Sequence, residues 1–222
     1  MTHPALSLSF APWRLSGTVV GPLLNDPATL AVLGEAVHAA PYKAPPQAPV
    51  LQVKPRNTVA ASPAVVVLPD GEAAFEIGAT LGLVIGRTAC RVSAGEALGH
   101  VAGCLLVADL SLPHAGHYRP AARAHALDGS CVMGVPAAGV PDIESAAFVV
   151  SVDGEARARF TLAGLVRPAA RLVADVSEFM TLHPGDVLLL GARQGAPQVR
   201  AGQRFSVEGA GLPAVAAQVM RA

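Results

Sequence analysis

The sequence predicts a β-rich α+β chain built around one core. Three observations carry this. Glycine (22) and proline (19) recur often enough to cut the 222 residues into short segments, because both interrupt regular structure. Most apolar stretches alternate with period two or form brief continuous runs, as strands do. Apolar residues at helical spacing occur in few places and over short spans.

Composition excludes several classes. Hydrophobic residues make up 52% and charged residues 14%, which a disordered chain could not reach. Sixteen Lys+Arg balance sixteen Asp+Glu, so a strongly basic surface is absent and no nucleic-acid partner is expected. Cys90, Cys104 and Cys131 are odd in number, far apart and without a CxxC pair. Neither a structural zinc site nor a disulfide framework is indicated, and a reducing, cytoplasmic setting is expected. Met1–Phe10 lacks a basic stretch followed by an apolar one, so no signal peptide is expected. No apolar run reaches the roughly 18 residues of a membrane span, and no membrane partner is expected. Val101–Leu112 comes nearest and is broken by Gly103 and Asp109.

The elements follow in order. Leu15–Val20 alternates and reads as a short strand. Asp26 is a good N-cap and Pro27 suits the first helical position. Leu30, Val32, Leu33, Ala36 and Val37 supply that helix with an apolar face. Pro41–Pro49 holds four prolines in nine residues and reads as an extended linker. This suggests a division into residues 1–49, packed on the core, and a main domain, 50–222. Val50–Lys54 alternates and stops at Pro55. Ala64–Leu68 is a continuous apolar strand ended by the turn Pro69-Asp70-Gly71. Phe75–Ile85 reads as a long strand in which Gly78 and Gly82 mark a bulge or a close backbone approach. Ser93 and Glu96 have capping-box spacing at the start of a short helix reaching about Val101. Cys104–Leu110 is apolar except for Asp109, and His114–Gly134 reads as irregular. Phe148–Val152 and Ala156–Thr161 flank Asp153-Gly154, a type I′ hairpin signal. Pro168–Met180 has helical spacing. Val187–Leu190, Arg204–Val207 and Val215–Val219 complete the strands.

Five segments, in this order, resemble the fumarylacetoacetate hydrolase family. They are Leu51-Gln52-Val53-Lys54-Pro55, Leu83-Val84-Ile85-Gly86-Arg87, Gly103 to Ser111, Leu127 to Gly134, and Leu182 to Gly191. The resemblance covers roughly residues 50–219 and implies a mixed β-sandwich roll, in agreement with the strand reading. Pro41-Tyr42-Lys43-Ala44-Pro45-Pro46, Lys54-Pro55-Arg56-Asn57-Thr58-Val59, Ser111-Leu112-Pro113 and Tyr118-Arg119-Pro120 are similar to one subgroup. Its members are the decarboxylase/isomerases of 4-hydroxyphenylacetate (homoprotocatechuate) catabolism, and the similarity is to their N-terminal half or subunit. The implied activity is decarboxylation of 5-oxopent-3-ene-1,2,5-tricarboxylate, then isomerisation of the 2-hydroxyhepta-diene-dioate product.

The resemblance also implies a cofactor, Mg²⁺ or Mn²⁺, held by three carboxylates and acting as a Lewis acid on a 2-oxo acid. Two of these come from a Glu-x-Glu on a strand, where period-two spacing puts both on one face. Here those positions are Gly78 and Thr80, and only Asp109 remains as the metal position. One carboxylate and one hydroxyl make a poor site, so metal binding is expected to be weak or absent in this chain. Glu76 lies one strand step earlier on the same nominal face. The family's lysine position is His125, which can be an acid or base but carries no permanent charge.

Lys54 and His125 are therefore the catalytic candidates, with Lys54 and Arg119 as binders of a dicarboxylate substrate. Each has a plain alternative: Lys54 as an edge-strand side chain, His125 as a solvated loop residue, Arg119 as a structural ion pair. His114 and His117 read as a surface loop, Cys131 as a buried thiol, and Asn25 and Glu35 as distant echoes of the family's lid helix. The expected assembly is a homodimer, or a heterodimer with a C-terminal-type subunit. Competing expectations are a catalytically degenerate partner subunit, or an acylpyruvate hydrolase or oxaloacetate decarboxylase of the same fold.

Overall fold

A computed structural model describes residues 9–10, 13–14, 18–114, 121–140, 142–193 and 195–222. The strands are β1 (Ser9–Phe10), β2 (Trp13–Arg14), β3 (Val19–Leu23), β4 (Val50–Lys54), β5 (Val59–Ala61), β6 (Ala64–Leu68), β7 (Phe75–Ile85) and β8 (Val101–Ser111). They continue with β9 (Cys131–Met133), β10 (Ala137–Ala138), β11 (Ala147–Val152), β12 (Glu155–Thr161), β13 (Val187–Leu189), β14 (Gln198–Val199), β15 (Arg204–Gly209) and β16 (Leu212–Arg221). The helices are α1 (Pro27–Leu33), α2 (Ala94–Ala97), α3 (Ala122–His125) and α4 (Ala169–Ser177). The β-rich α+β expectation holds.

Among the described residues, one large sheet runs β4-β3-β13-β7-β8-β9-β5, with β10 beside β8 and β14 beside β7. A second sheet runs β12-β11-β15-β16-β6. Both mix parallel and antiparallel pairs: β13–β3, β5–β9 and β16–β6 are parallel. The first and last strands of the large sheet, β4 and β5, are joined by residues 55–58 alone. A link that short spans at most about 18 Å, so the sheet must curl until its two edges come together.

Curling gives β7 and β8 two buried faces. Phe75, Ile77, Leu81 and Leu83 of β7, with Leu106 and Leu110 of β8, pack toward Phe148, Val150, Val207, Val215 and Val219 of the second sheet. The helix α4 adds Leu172, Val173 and Val176 to this core. The opposite face lies inside the curl, where Val84, Leu105, Val107, Val187 and Leu189 form a smaller cluster. Small residues are needed there. A Cβ on Gly21 would stand 2.7 Å from Leu189 Cβ, and one on Gly78 would stand 2.8 Å from Ala192 Cβ.

Several local expectations are corrected. The first of these strands is Val19–Leu23 instead of Leu15–Val20, of which residues 15–17 lie outside the described set. Asp26 does cap α1, accepting from Thr29 N at 2.7 Å. The chain tightens at Gly34 into a 3₁₀ turn, so Val32 and Ala36 face solvent and Val37 is buried. Asp26 and Asn25 draw this segment to the sheet through polar contacts, and apolar periodicity does not decide its faces. The β6 run is not buried throughout: Val65 and Val67 point outward, because only one face of an edge strand meets the core. The β7–β8 register is continuous through Gly78 and Gly82 and shifts only between Val84 and Ile85. Those glycines therefore mark close approach and no bulge. The short helix α2 ends at Ala97 and continues as a 3₁₀ turn to His100; Ser93 Oγ donates to Glu96 Oε2 at 2.8 Å. The His114–Gly134 region contains α3 and β9. The hairpin is as expected, with φ of 52° at Asp153 and 83° at Gly154.

Candidate functional site

The open mouth of the curl forms a cleft of about 690 Å³, part of it solvent. Its floor comes from one face of four strands. From β4 come Gln52 and Lys54, from β7 Glu76, Gly78 and Thr80, from β8 Asp109 and Ser111, and from β3 Gly21. The strand β4 has inverted polarity: Val53 is 63% exposed, whereas Lys54 is 2% exposed. This edge strand thus turns its polar side chains into the cleft.

Lys54 and Asp109 form an ion pair across this interior, with side-chain exposures of 1% and 14%. Lys54 Nζ also donates to the His125 carbonyl at 3.1 Å. The α3 turn that presents this carbonyl is anchored at the β4–β5 corner. Asn57 Nδ2 donates to Asp128 Oδ1 at 2.6 Å and to Ala126 O at 3.0 Å, and Gly129 N donates to Asn57 O at 2.9 Å. Burial pushes the Asp109 carboxyl above its ordinary range, and the Lys54 ammonium opposes that shift.

The His125 ring packs against His114. Its Nε2 lies 3.3 Å from His114 Nε2, and the rings meet edge to face at 4.6 Å between centroids. His114 Nδ1 donates to Leu112 O at 3.1 Å, so on the neutral ring Nε2 is the acceptor and His125 supplies the N–H. His114, expected on a surface loop, thus belongs to the cleft. His117 and Arg119 lie outside the described residues. Glu76, one step before Gly78, lines the cleft as well, and burial raises its carboxyl while the charge of His114 opposes this.

The remaining wall is the segment after β13. Gly191 has φ of 97°, where a side chain would be strained. Its Cα faces Pro22 O and Asn25, and a Cβ would stand 3.1 Å from that carbonyl. Asn25 is fully employed here: Nδ2 donates to Leu190 O at 2.8 Å and Arg167 O at 3.1 Å, and Oδ1 accepts from Arg167 N at 2.8 Å. Arg193 follows, with Nε 3.6 Å from Asp26 Oδ2.

The residues present do not fit a divalent metal. Gly78 stands opposite Asp109 in register, and a Cβ there would lie 2.8 Å from both Asp109 O and Ala192 Cβ. The Thr80 hydroxyl donates to Leu81 O at 3.4 Å. Asp109 is taken by Lys54. Among the described residues no three His, Cys, Asp or Glu converge on one point. Cys131, across from Asp109 on β9, is a fully buried thiol held protonated by burial and by the Asp109 charge. Burial raises Cys104 to about 12.

Comparison with known proteins agrees with this architecture. Residues 18–220 match the family described as fumarylacetoacetate (FAA) hydrolase C-terminal. The chain is 37% identical over 201 residues to the 4-hydroxyphenylacetate degradation bifunctional isomerase/decarboxylase of Salmonella dublin, covering 90% of this chain and 46% of that protein. It is 28% identical to Oxaloacetate tautomerase YcgM of Escherichia coli (strain K12), covering 84% of this chain and 91% of that one. Among solved structures, a Mycobacterium abscessus protein superposes with TM-score 0.77 at 27% identity, covering 94% of this chain and 80% of the other. The 2-hydroxyhepta-2,4-diene-1,7-dioate isomerase from Mycobacterium marinum superposes with TM-score 0.76 at 23% identity, covering 93% and 75%, a likeness of fold alone. The chain belongs to the fumarylacetoacetate hydrolase family. It spans about half the length of the isomerase/decarboxylases it matches.

Proposed function

We propose that the chain is one half-unit of a decarboxylase/isomerase acting on 2-oxo and 2-hydroxy dicarboxylates in 4-hydroxyphenylacetate catabolism. In this reading a second chain of the same fold carries the carboxylate triad. The observations that support it are 37% identity to such an enzyme over 90% of the chain and the presence of Gly78 and Thr80 at two of the three carboxylate positions. The partner would be a second copy or a C-terminal-type subunit. The outward apolar residues Val65 and Val67 of β6, beside Met220 of β16, suit such a contact.

The cleft's own chemistry is proton handling and anion orientation. The His114–His125 pair can hold a proton at Nε2 of His114 and return it, which is what interconverting an enol and a ketone requires. Arg193, half exposed at the rim, can meet a carboxylate. In the half-unit reading, Arg119 is a further binding group.

The test is CO₂ release from 5-oxopent-3-ene-1,2,5-tricarboxylate with Mg²⁺. It is measured for this chain alone, for a family chain with an intact Glu-x-Glu, and for the mixture. The mixture should exceed the sum of the parts. Full metal-dependent turnover by this chain alone would overturn the half-unit reading.

A second reading is supported by the match to 91% of the tautomerase's length: a self-sufficient keto–enol tautomerase of a 2-oxo acid. Decay of enol absorbance in oxaloacetate, accelerated by this chain with EDTA present and lost in His125→Gln, would favour it.

A further inference from the structure

We infer that Lys54 is the built-in cation of this cleft: its ammonium occupies Asp109, the one carboxylate left at the family's metal position, and so closes the site to Mg²⁺ and Mn²⁺. The inference rests on family membership for the position and on the geometry for the rest.

Lys54 is fixed in place. Its side chain is 1% exposed and ion-paired with Asp109. Its second contact is a backbone carbonyl, that of His125, on a turn anchored through Asn57 to Asp128 and Ala126. A divalent ion at Asp109 would lie within a few ångströms of this ammonium. It would have to displace Lys54 from its buried ion pair with Asp109. It would also find few donors: Gly78 has no room for a side chain and Thr80 is turned to the backbone. Hard divalent cations take several oxygen ligands, among which the protein must supply at least one or two carboxylates free to coordinate. The loss of two carboxylates and the retention of a buried lysine are therefore one arrangement. The charge of Asp109 is balanced from within the chain by Lys54.

The experiment reads Mn²⁺ binding directly, by calorimetry and by water-proton relaxation, without turnover. Failure here therefore leaves the catalytic reading untouched. Wild type should show no saturable Mn²⁺ binding up to about 10 mM, a range in which even few-ligand sites begin to fill. Lys54→Met and Lys54→Gln free Asp109, and each should bind Mn²⁺ at least about tenfold more tightly than wild type. Adding Asp109→Asn should abolish that gain. Lys54→Gln keeps a donor for the His125 carbonyl, so it guards against the case in which Lys54→Met does not fold. The wild-type arm stands by itself if neither variant folds. Saturable binding to wild type that is lost in Asp109→Asn overturns the inference, and so do folded Lys54 variants that bind Mn²⁺ no better than wild type.

Discussion

Lys54 on β4 and Asp109 on β8 meet as a buried ion pair although β3, β13 and β7 lie between their strands in the sheet. Such a pair is an uncertain source of net stability, but breaking it leaves a charge buried without compensation. Lys54→Met and Asp109→Asn should each cost about 3–5 kcal/mol. The double variant Lys54→Met/Asp109→Leu should recover most of that. A double-variant cycle of Lys54→Met, Asp109→Leu and the two combined, by urea denaturation, measures the coupling, and single variants within about 1 kcal/mol of wild type would refute it.

Glu76 predicts a pH dependence. Burial holds its carboxyl above the ordinary 4.5, against the opposing charge of His114. A group with a raised pKa in the folded chain takes up protons on folding. Its contribution is present in acid and is lost as pH rises from 4.5 through the folded value. Asp109 adds in the same direction, burial outweighing Lys54. The exposed Asp153, pulled down mainly by the Arg204 N–H, acts oppositely and cancels in the comparison. Glu76→Gln should gain stability relative to wild type at about pH 7 and match it at about pH 4. An equal effect at both pH values would count against burial as the cause.

Gly78 is required by packing. A methyl group there meets Ala192 Cβ and Asp109 O, each at 2.8 Å. Gly78→Ala should therefore destabilise by about 1–3 kcal/mol. Gly95, in α2 with nothing within 4 Å of an added Cβ, is the control, and Gly95→Ala should be neutral or slightly stabilising. Paired thermal melts decide, and equal midpoints would mean that the inner face of the curl yields easily.

Assembly follows from the outward face of the second sheet's edge. Val65, Val67 and Met220 are 63%, 48% and 44% exposed on adjacent strands. Sedimentation velocity should find a dimer, and Val67→Asp should shift it toward monomer. A wild-type monomer at high concentration, with no affinity for a family partner chain, would remove this surface from consideration.

The sequence by itself determined the features that rest on local chemistry. Phe75–Ile85 read as one long strand, Asp153-Gly154 marked the hairpin, and helical spacing located α4. The order of weak motifs pointed to the family, and Gly78 and Thr80 already revealed that two carboxylates were missing. Tertiary structure alone decided what Asp109 pairs with. Periodicity tells which residues share a strand face, but not which strands the sheet's curl brings opposite each other. That is why Lys54 read as an edge side chain or a substrate binder and proved to be buried against the chain's own carboxylate. The same limit hid His114: beyond Ser111 the strand ends, period two no longer applies, and only the fold of α3 sets His125 against it. Contacts between residues distant in the chain and in sheet order arise from closing the curl, and that closure is a property of the whole sheet.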